Sequence, residues 1–283
     1  MVDHEQAEHR MSQLSAPTPG RLSAGLLDAY TATLRFLIRG RRQPDVIFGS
    51  ILIPVIFVVL FGYVFGSSIS IPGENYRSYL MPGLFALAIL FNSNNLAVAV
   101  ATDMSEGVVD RFRTLPIARS AIVIGRSFSG MLLGVPALLV MILCGLAVGW
   151  RPVDGVGNAA LAFLLYELFG FAIGWLGILV GLLAGSAQAA DVIISIPTFL
   201  LGFISSVFVD PTKMPSWLRV IADWNPMSAV ATAGRQLFGN TIGPPPAGVW
   251  SLDHPVVTTV GLALIIVAIV APICVHLYSH STR

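Results

Sequence analysis

A charged stretch at 101–120 separates two long apolar runs and holds six side chains suited to ionic recognition. These are Asp103, Glu106, Asp110, Arg111, Arg113 and Arg119. The flanking runs, at about 79–101 and 122–149, are each long enough to cross a hydrocarbon core of about 30 Å, which takes about 20 helical residues. Because such charges cannot stay in hydrocarbon, the stretch must enter water, and its arginines favour the cytoplasmic side.

The same stretch has helical spacing. Its apolar residues Val108, Val109, Phe112, Leu115 and Pro116 can share one face of a short helix, with the arginines beside it. Pro116 would end that helix, since the residue before a proline disfavours the helical conformation. The pattern indicates a docking site for another protein. The alternative is a solvated loop whose arginines only follow the positive-inside rule.

Catalytic motifs are missing from the sequence. A P-loop needs a lysine after its glycines to hold phosphates, and the one lysine, Lys213, stands in Asp-Pro-Thr-Lys-Met. There is no Gly-x-Ser-x-Gly elbow and no His-Glu-x-x-His pair. His276 and His280 are spaced i, i+4 but lack a third ligand nearby, so an interfacial pair is favoured over a metal site. We therefore predict no enzyme activity, and any ATP with its Mg²⁺ would be bound by a different polypeptide.

Two acids fall near membrane depth, where ionisable groups are costly and usually functional. Glu167 lies in the middle of an apolar run. It is either a contact for polar or cationic cargo or for a proton, or a carboxyl hydrogen-bonded to a neighbouring helix through Asn92, Asn94 or Asn95. Glu167, Asn92 and Asn95 are the residues predicted for a substrate path. Asp191 is expected at the start of its helix, where an acid is favoured.

The composition predicts an integral membrane protein. Of 283 residues, 55% are apolar and 11% are charged, against about 25% charged in soluble domains. The net charge of +1 gives no reason to expect nucleic acid as a partner. Cys144 and Cys274 lie in apolar runs and read as buried small hydrophobic residues rather than a disulfide.

Six membrane spans follow an N-terminal region. Residues 1–20 read as a disordered cytoplasmic tail, and 21–43 as a basic amphipathic helix at the cytoplasmic interface, within a transmembrane domain over 21–283. The predicted spans are about 46–66, 79–101, 122–149, 159–184, 192–209 and 256–278. With both termini inside, ten basic residues are cytoplasmic and five external. Arg126, just inside the third span, is expected to extend to the cytoplasmic surface.

The long segment before the last span has its own helical patterns, at 214–221 and 226–237. Trp217 and Trp224 suit an interfacial belt. Pro226 stands at a favoured helix start and Gly239 at a favoured helix end. Glycine pairs in the fourth span, Gly170 with Gly174 and Gly177 with Gly181, suit close helix packing.

Two motifs carry a family resemblance. Glu106-Gly107-Val-Val109-Asp110-Arg111-Phe112-Arg113-Thr-Leu115-Pro116-Ile-Ala-Arg119-Ser120 resembles the cytoplasmic loop of ABC-2 type transporter permeases of the daunorubicin- and doxorubicin-resistance kind. Met214-Pro-Ser-Trp217 and Trp224-Asn225-Pro226-Met-Ser228 are similar to the segment before that family's last span. The resemblance implies that the loop at 103–120 couples to a separate ATPase subunit. It also implies an external re-entrant helical hairpin over 210–240.

These observations together predict an all-α integral membrane protein with an interfacial helix, six transmembrane helices and that hairpin. The resemblance implies the membrane subunit of an ATP-driven exporter of amphipathic drugs, lipids or lipid-like molecules. Its partners would be two ATPase copies and a second permease, identical or related, in the plasma membrane. The alternative is a secondary transporter or channel that uses Glu167 and needs no ATPase.

Overall fold

The structure, a computed structural model, describes residues 21–41, 44–64, 76–106, 119–241 and 249–280. Within these ranges the chain is helical and contains no strand. The main helices are α1 (Arg21–Arg41), α2 (Pro44–Val59), α3 (Tyr76–Ser105), α4 (Arg119–Ala147), α5 (Gly155–Leu183) and α6 (Ala187–Phe203). They are followed by α7 (Ser216–Asp223), α8 (Pro226–Phe238), α9 (Trp250–Asp253) and α10 (Pro255–His280). A π-helical turn, Leu60–Val64, extends α2, and a 3₁₀ turn, Pro211–Lys213, precedes α7.

Four of these helices, α3, α4, α5 and α10, are long and apolar enough to cross a membrane. Two apolar segments are shorter, Leu52–Val64 and Ala187–Phe203. The all-helical prediction is confirmed for the described residues. The tail at 1–20 and most of the loop at 103–120 lie outside them.

The helix bounds agree with the predicted runs to within a few residues except at α6. That helix begins at Ala187, five residues before the predicted run, because the Ser186 side chain caps it and accepts a hydrogen bond from the Ala189 amide at 3.1 Å. Asp191 is therefore on the second turn and not at the helix start. The helix ends at Phe203, where the predicted run continues to 209.

The core forms around α3, which lies between α5, α6 and α8. Its residues from Tyr79 to Leu90 are all buried. The predicted close packing through glycine holds for α5: a Cβ on Gly177 would lie 2.5 Å from the Ser93 carbonyl oxygen, and one on Gly181 would lie 2.6 Å from that of Ala97. The backbones of α3 and α5 are thus in direct contact. Both cysteines are free, and Cys274 is fully buried.

The segment after α6 folds into two short helices joined by a tight turn. Asn225 caps α8, with its side chain accepting from the Met227 amide at 2.8 Å, and Pro226 is the first helical residue. Gly239 ends α8 with a φ of 71°, in the left-handed region that favours glycine. The predicted start and end of this helix are confirmed.

Helix α1 has two different faces. Ala32 and Phe36 are buried, and Ala32 lies against α4, where a Cβ on Gly125 would be 2.7 Å away. On the other side an apolar stripe is exposed, formed by Leu27, Tyr30, Leu34 and Ile38. One side of α1 therefore packs on the helical core, and the other has no apolar cover within the described chain.

Candidate functional site

Four charged side chains from three helices meet where α3 ends. We call Arg39, Asp103, Glu106 and Arg126 the charged cluster. Arg39 of α1 pairs with two acids, through Nη1 to Asp103 Oδ1 at 2.5 Å and through Nη2 to Glu106 Oε2 at 3.0 Å. Arg126 of α4 pairs with the other oxygen of Asp103 at 3.4 Å. Asp103 therefore links α1, α3 and α4.

Burial divides the cluster into an inner and an outer part. The side chains of Asp103 and Arg126 are 12% and 13% exposed, whereas those of Arg39 and Glu106 are 40% and 53% exposed. Arg126 also lies over the Phe36 ring at 4.7 Å, and its Nε has no hydrogen-bond partner among the residues that the structure describes. The expectation that Arg126 extends to the surface was wrong, because its guanidinium turns inward to the buried Asp103 carboxylate. A buried ion needs a partner to offset its lost hydration.

The outer acid marks where the predicted docking loop begins. Glu106 follows the last residue of α3, and its amide donates to the Thr102 carbonyl at 2.9 Å. It thus extends the C-terminal turn of α3. An acid there opposes the helix dipole, and Arg39 supplies the compensating positive charge. The remaining predicted coupling residues lie outside the described residues; they are Gly107, Val109, Asp110, Arg111, Phe112, Arg113, Leu115 and Pro116.

A cavity of about 480 Å³ adjoins the cluster, between α3 and the start of α6. Its polar lining includes Arg39, Asp103 and Arg126, together with Asn95, Thr102, Gln188 and Asp191. Of the three residues predicted for a substrate path, Asn95 is the one in this cavity.

The other two residues of that predicted path lie apart from the cavity. The Asn92 amide donates to the Gly130 carbonyl of α4 at 3.0 Å, which joins two helices. Glu167 is half-buried on α5 and makes no hydrogen bond or ion pair with another described residue. Neither Asn92 nor Asn94 binds it, because Asn94 pairs with Ser195 and Thr198 of α6.

The predicted hairpin residues fall into two classes. Trp217 and Trp224 are exposed, at 68% and 66%. Asn225 is buried and its amide donates to the carbonyls of Leu201, at 2.9 Å, and Ile204. Those carbonyls belong to the end of α6, so Asn225 both caps α8 and satisfies the last turn of α6. Pro226 begins α8 as expected.

A buried arginine that sequence reasoning missed holds this hairpin to α3. Arg235 is one of the five basic residues predicted to be external, yet it is 4% exposed. Its Nε donates to the Tyr79 carbonyl at 2.9 Å and its Nη2 to the Ser206 carbonyl at 2.6 Å, with the guanidinium 3.7 Å from the centre of the Tyr79 ring. A signal was present, because Ala231 and Phe238 share its helix face and are apolar.

Comparison with known proteins finds a family model and several relatives that match this chain. The family model described as "ABC-2 type transporter" matches residues 29–238. The daunorubicin resistance ABC transporter permease protein DrrB1 of Streptomyces coeruleorubidus is 33% identical over 254 residues, which cover 88% of this chain and 87% of that protein. The probable doxorubicin resistance permease DrrC of Mycobacterium tuberculosis is 25% identical, covering 88% and 93%. The putative transport permease ycf38 of Cyanophora paradoxa is 23% identical, covering 76% and 75%.

Proposed function

Because this chain belongs to the ABC-2 type transporter family, we propose that it is the membrane subunit of an ATP-driven exporter. The cargo would be amphipathic drugs, lipids or lipid-like molecules leaving the cytoplasm. The relatives named for daunorubicin and doxorubicin resistance support a hydrophobic small-molecule cargo. ATP and Mg²⁺ would be bound by a separate ATPase subunit, in two copies, since this sequence has no P-loop lysine.

The observation that carries the proposal is the charged cluster at the base of the docking loop. Three helices are joined by ion pairs where α3 ends, and the motif resembling the family's coupling loop begins there at Glu106. A loop that passes force needs a firm base, and in this proposal Asp103 supplies it by pairing with both Arg39 and Arg126. In this proposal Val109, Phe112 and Leu115 form the apolar ridge that enters the ATPase, while Arg111 and Arg113 meet acids on it.

A second permease subunit, identical or related, would complete the path. The exposed apolar side chains of α2 and α6 support such a contact or a lipid contact; they include Leu52, Ile53, Ile56, Val192, Ile193 and Ile196. Asn95 supports a cytoplasmic entry for cargo, because it lines the cavity beside the charged cluster. The exposed stripe on α1 would lie in lipid at the cytoplasmic interface.

We further propose six spans in the plasma membrane, with both termini cytoplasmic and the hairpin of α7 and α8 external. The two shorter apolar segments would be the first and fifth spans. Reporter fusions after Thr114 should then give a cytoplasmic signal, and fusions after Asp154 and Gly243 an external one. A cytoplasmic signal at Gly243 would exclude both the external hairpin and the six-span arrangement.

The coupling proposal is tested by the double variant Phe112→Ala with Arg113→Glu. A buried aromatic residue and a paired arginine at an interface are each worth about 2 kcal/mol or more, and a loss of that size weakens association roughly thirtyfold. We expect normal membrane abundance but loss of the co-purified ATPase and of export.

A matched control is Trp217→Ala, which removes an exposed aromatic residue from α7 and leaves Arg219 paired with Asp223. It should keep the ATPase bound. If the loop variant retains its partner and exports normally, the loop is only a connection between spans.

Glu167 supports the second candidate, an ATPase-independent secondary transporter or channel, because it is half-buried and unpaired among the described residues. Glu167→Gln keeps the size and hydrogen-bonding capacity while removing the charge. In the second candidate it would abolish proton- or cation-dependent transport. In an ATP-driven exporter, transport by the wild type and transport by Glu167→Gln would both require the ATPase.

A further inference from the structure

We infer that Arg39 is a positioning residue that passes movement between the interfacial helix α1 and the base of the coupling loop. The inference rests on the proposed function, because it assigns the loop's role to an ATPase contact. It concerns a residue outside both motifs that carry the family resemblance, and it is argued from the geometry of the charged cluster.

The contact geometry is that of a fork. The two terminal nitrogens of Arg39 bind different carboxylates, Asp103 on the last turn of α3 and Glu106 three residues later, just after the helix. Residues at this spacing are neighbours on one helix face. A planar guanidinium can hold two acceptors in a fixed direction, whereas the single ammonium of a lysine acts as a point charge. Arg39 therefore restricts how the end of α3 rotates relative to α1.

The connection continues inward to α4. Asp103 uses its second oxygen for Arg126, whose guanidinium lies over the ring of Phe36. Phe36 is on α1, one turn before Arg39, so α1 contacts this group twice, through a charge and through a ring. A displacement of Glu106 is thereby resisted by side chains from both α1 and α4.

The outer surface of α1 gives the fork a second consequence. The exposed stripe beginning at Leu27 and ending at Ile38 faces away from the core. Arg39 directly follows this stripe in sequence. The proposed function places α1 in the membrane surface, and the same helix holds Glu106, the first residue of the coupling motif, through Arg39. When Asp103 and Glu106 move, either their ion pairs with Arg39 break or α1 moves with them.

The test measures the ratio of cargo transported to ATP hydrolysed, for the full complex reconstituted in sealed proteoliposomes. In Arg39→Gln we expect the ATPase to remain bound and to hydrolyse ATP, while the export ratio falls about fivefold. That fold-change corresponds to about 1 kcal/mol, the upper part of the range for partly exposed ion pairs. Arg39→Lys should recover part of the ratio, since one acid can still be paired.

Two further variants make the result decisive. Arg35→Gln, an exposed arginine one turn earlier on α1, should leave the ratio unchanged. Glu106→Gln removes the outer pair without touching the buried Asp103 and should lower the ratio as Arg39→Gln does. If Arg39→Gln fails to accumulate in the membrane, Glu106→Gln alone decides the matter.

The inference is overturned if Glu106→Gln exports at the wild-type ratio. It is also overturned if Arg39→Gln matches Arg35→Gln, or if Arg39→Gln loses the ATPase altogether, since Arg39 would then act in docking. Failure of the proposed function looks different: the wild-type protein itself would show no ATPase association and no ATP-dependent export.

Discussion

Replacing Arg235 with methionine tests whether a buried cation holds the hairpin of α7 and α8 to the core. Methionine keeps the length and apolar stem of the side chain and removes the guanidinium. The variant loses the bonds to the carbonyls of Tyr79 and Ser206, a longer one to the Ser206 hydroxyl at 3.2 Å, and the contact with the Tyr79 ring. The hairpin would then be held to α3 mainly by the apolar contacts of α8.

The size of the loss follows from these contacts. A hydrogen bond to a charged group contributes about 1.5–3 kcal/mol, so the two short ones contribute about 3–6 kcal/mol. Removing the ion also removes its desolvation cost, which is several kcal/mol for a buried charge. The Ser206 carbonyl keeps one partner, because the Tyr79 hydroxyl donates to it at 2.7 Å. We therefore expect a net destabilisation of about 2–3 kcal/mol.

Thermal melting of the purified protein in nanodiscs measures this effect. For a chain of this size about 2–3 kcal/mol lowers the melting temperature by about 5–10 °C. Gln236→Met is the matched control, because Gln236 is the next residue on the same helix and is exposed. Arg235→Lys should fall between the two variants. If Arg235→Met melts with the wild type, the guanidinium does not hold the hairpin and the argument from its hydrogen bonds is wrong.

Two further predictions use the same melting assay. Gly177→Ala should lower the melting temperature, because its Cβ would meet the Ser93 carbonyl. In the control Gly157→Ala, on the same helix, the new Cβ meets nothing within 4 Å, so this variant should be neutral or stabilising by up to about 1 kcal/mol. Equal effects of the two variants would refute the backbone contact. Burial raises the pKa of the Asp223 carboxyl, and the Arg219 guanidinium opposes that rise only in part, so the folded protein holds this proton more tightly than the unfolded chain. The stability that the bound proton contributes is complete below about pH 4 and is lost as the pH rises. Asp223→Asn should therefore have a higher melting temperature than the wild type near pH 7 and the same one near pH 4. A difference in melting temperature that does not change with pH would contradict this prediction.

Most of the helix positions could be predicted from the sequence because long apolar runs and local caps determine them. Pro226 and Gly239 set the ends of α8 through their own backbone preferences, which need no distant partner. The start predicted for α6 was too late in the chain, because hydropathy does not mark where a helix begins within a run of small residues. The cap at Ser186 was the better signal.

The charge contacts could not be predicted, because they join residues far apart in the chain. Arg39 and Asp103 are separated by 64 positions, and Arg235 and Tyr79 by 156. Periodicity places each residue on a face but does not say which face it meets. The coupling roles of residues 107–116 remain predictions, since those residues lie outside the described ranges.

The glycine contacts between α3 and α5 limit how the subunit can change shape. Packed helices slide past one another when the side chains between them have room to rearrange. At Gly177 and Gly181 there are no side chains on α5 to rearrange, and the backbone itself rests on the carbonyls of Ser93 and Ala97. Shear is therefore blocked along this seam, and α3 and α5 must move as one rigid block. Conformational change in a transport cycle then falls to hinges at the edges of that block, where α2 and α6 join it.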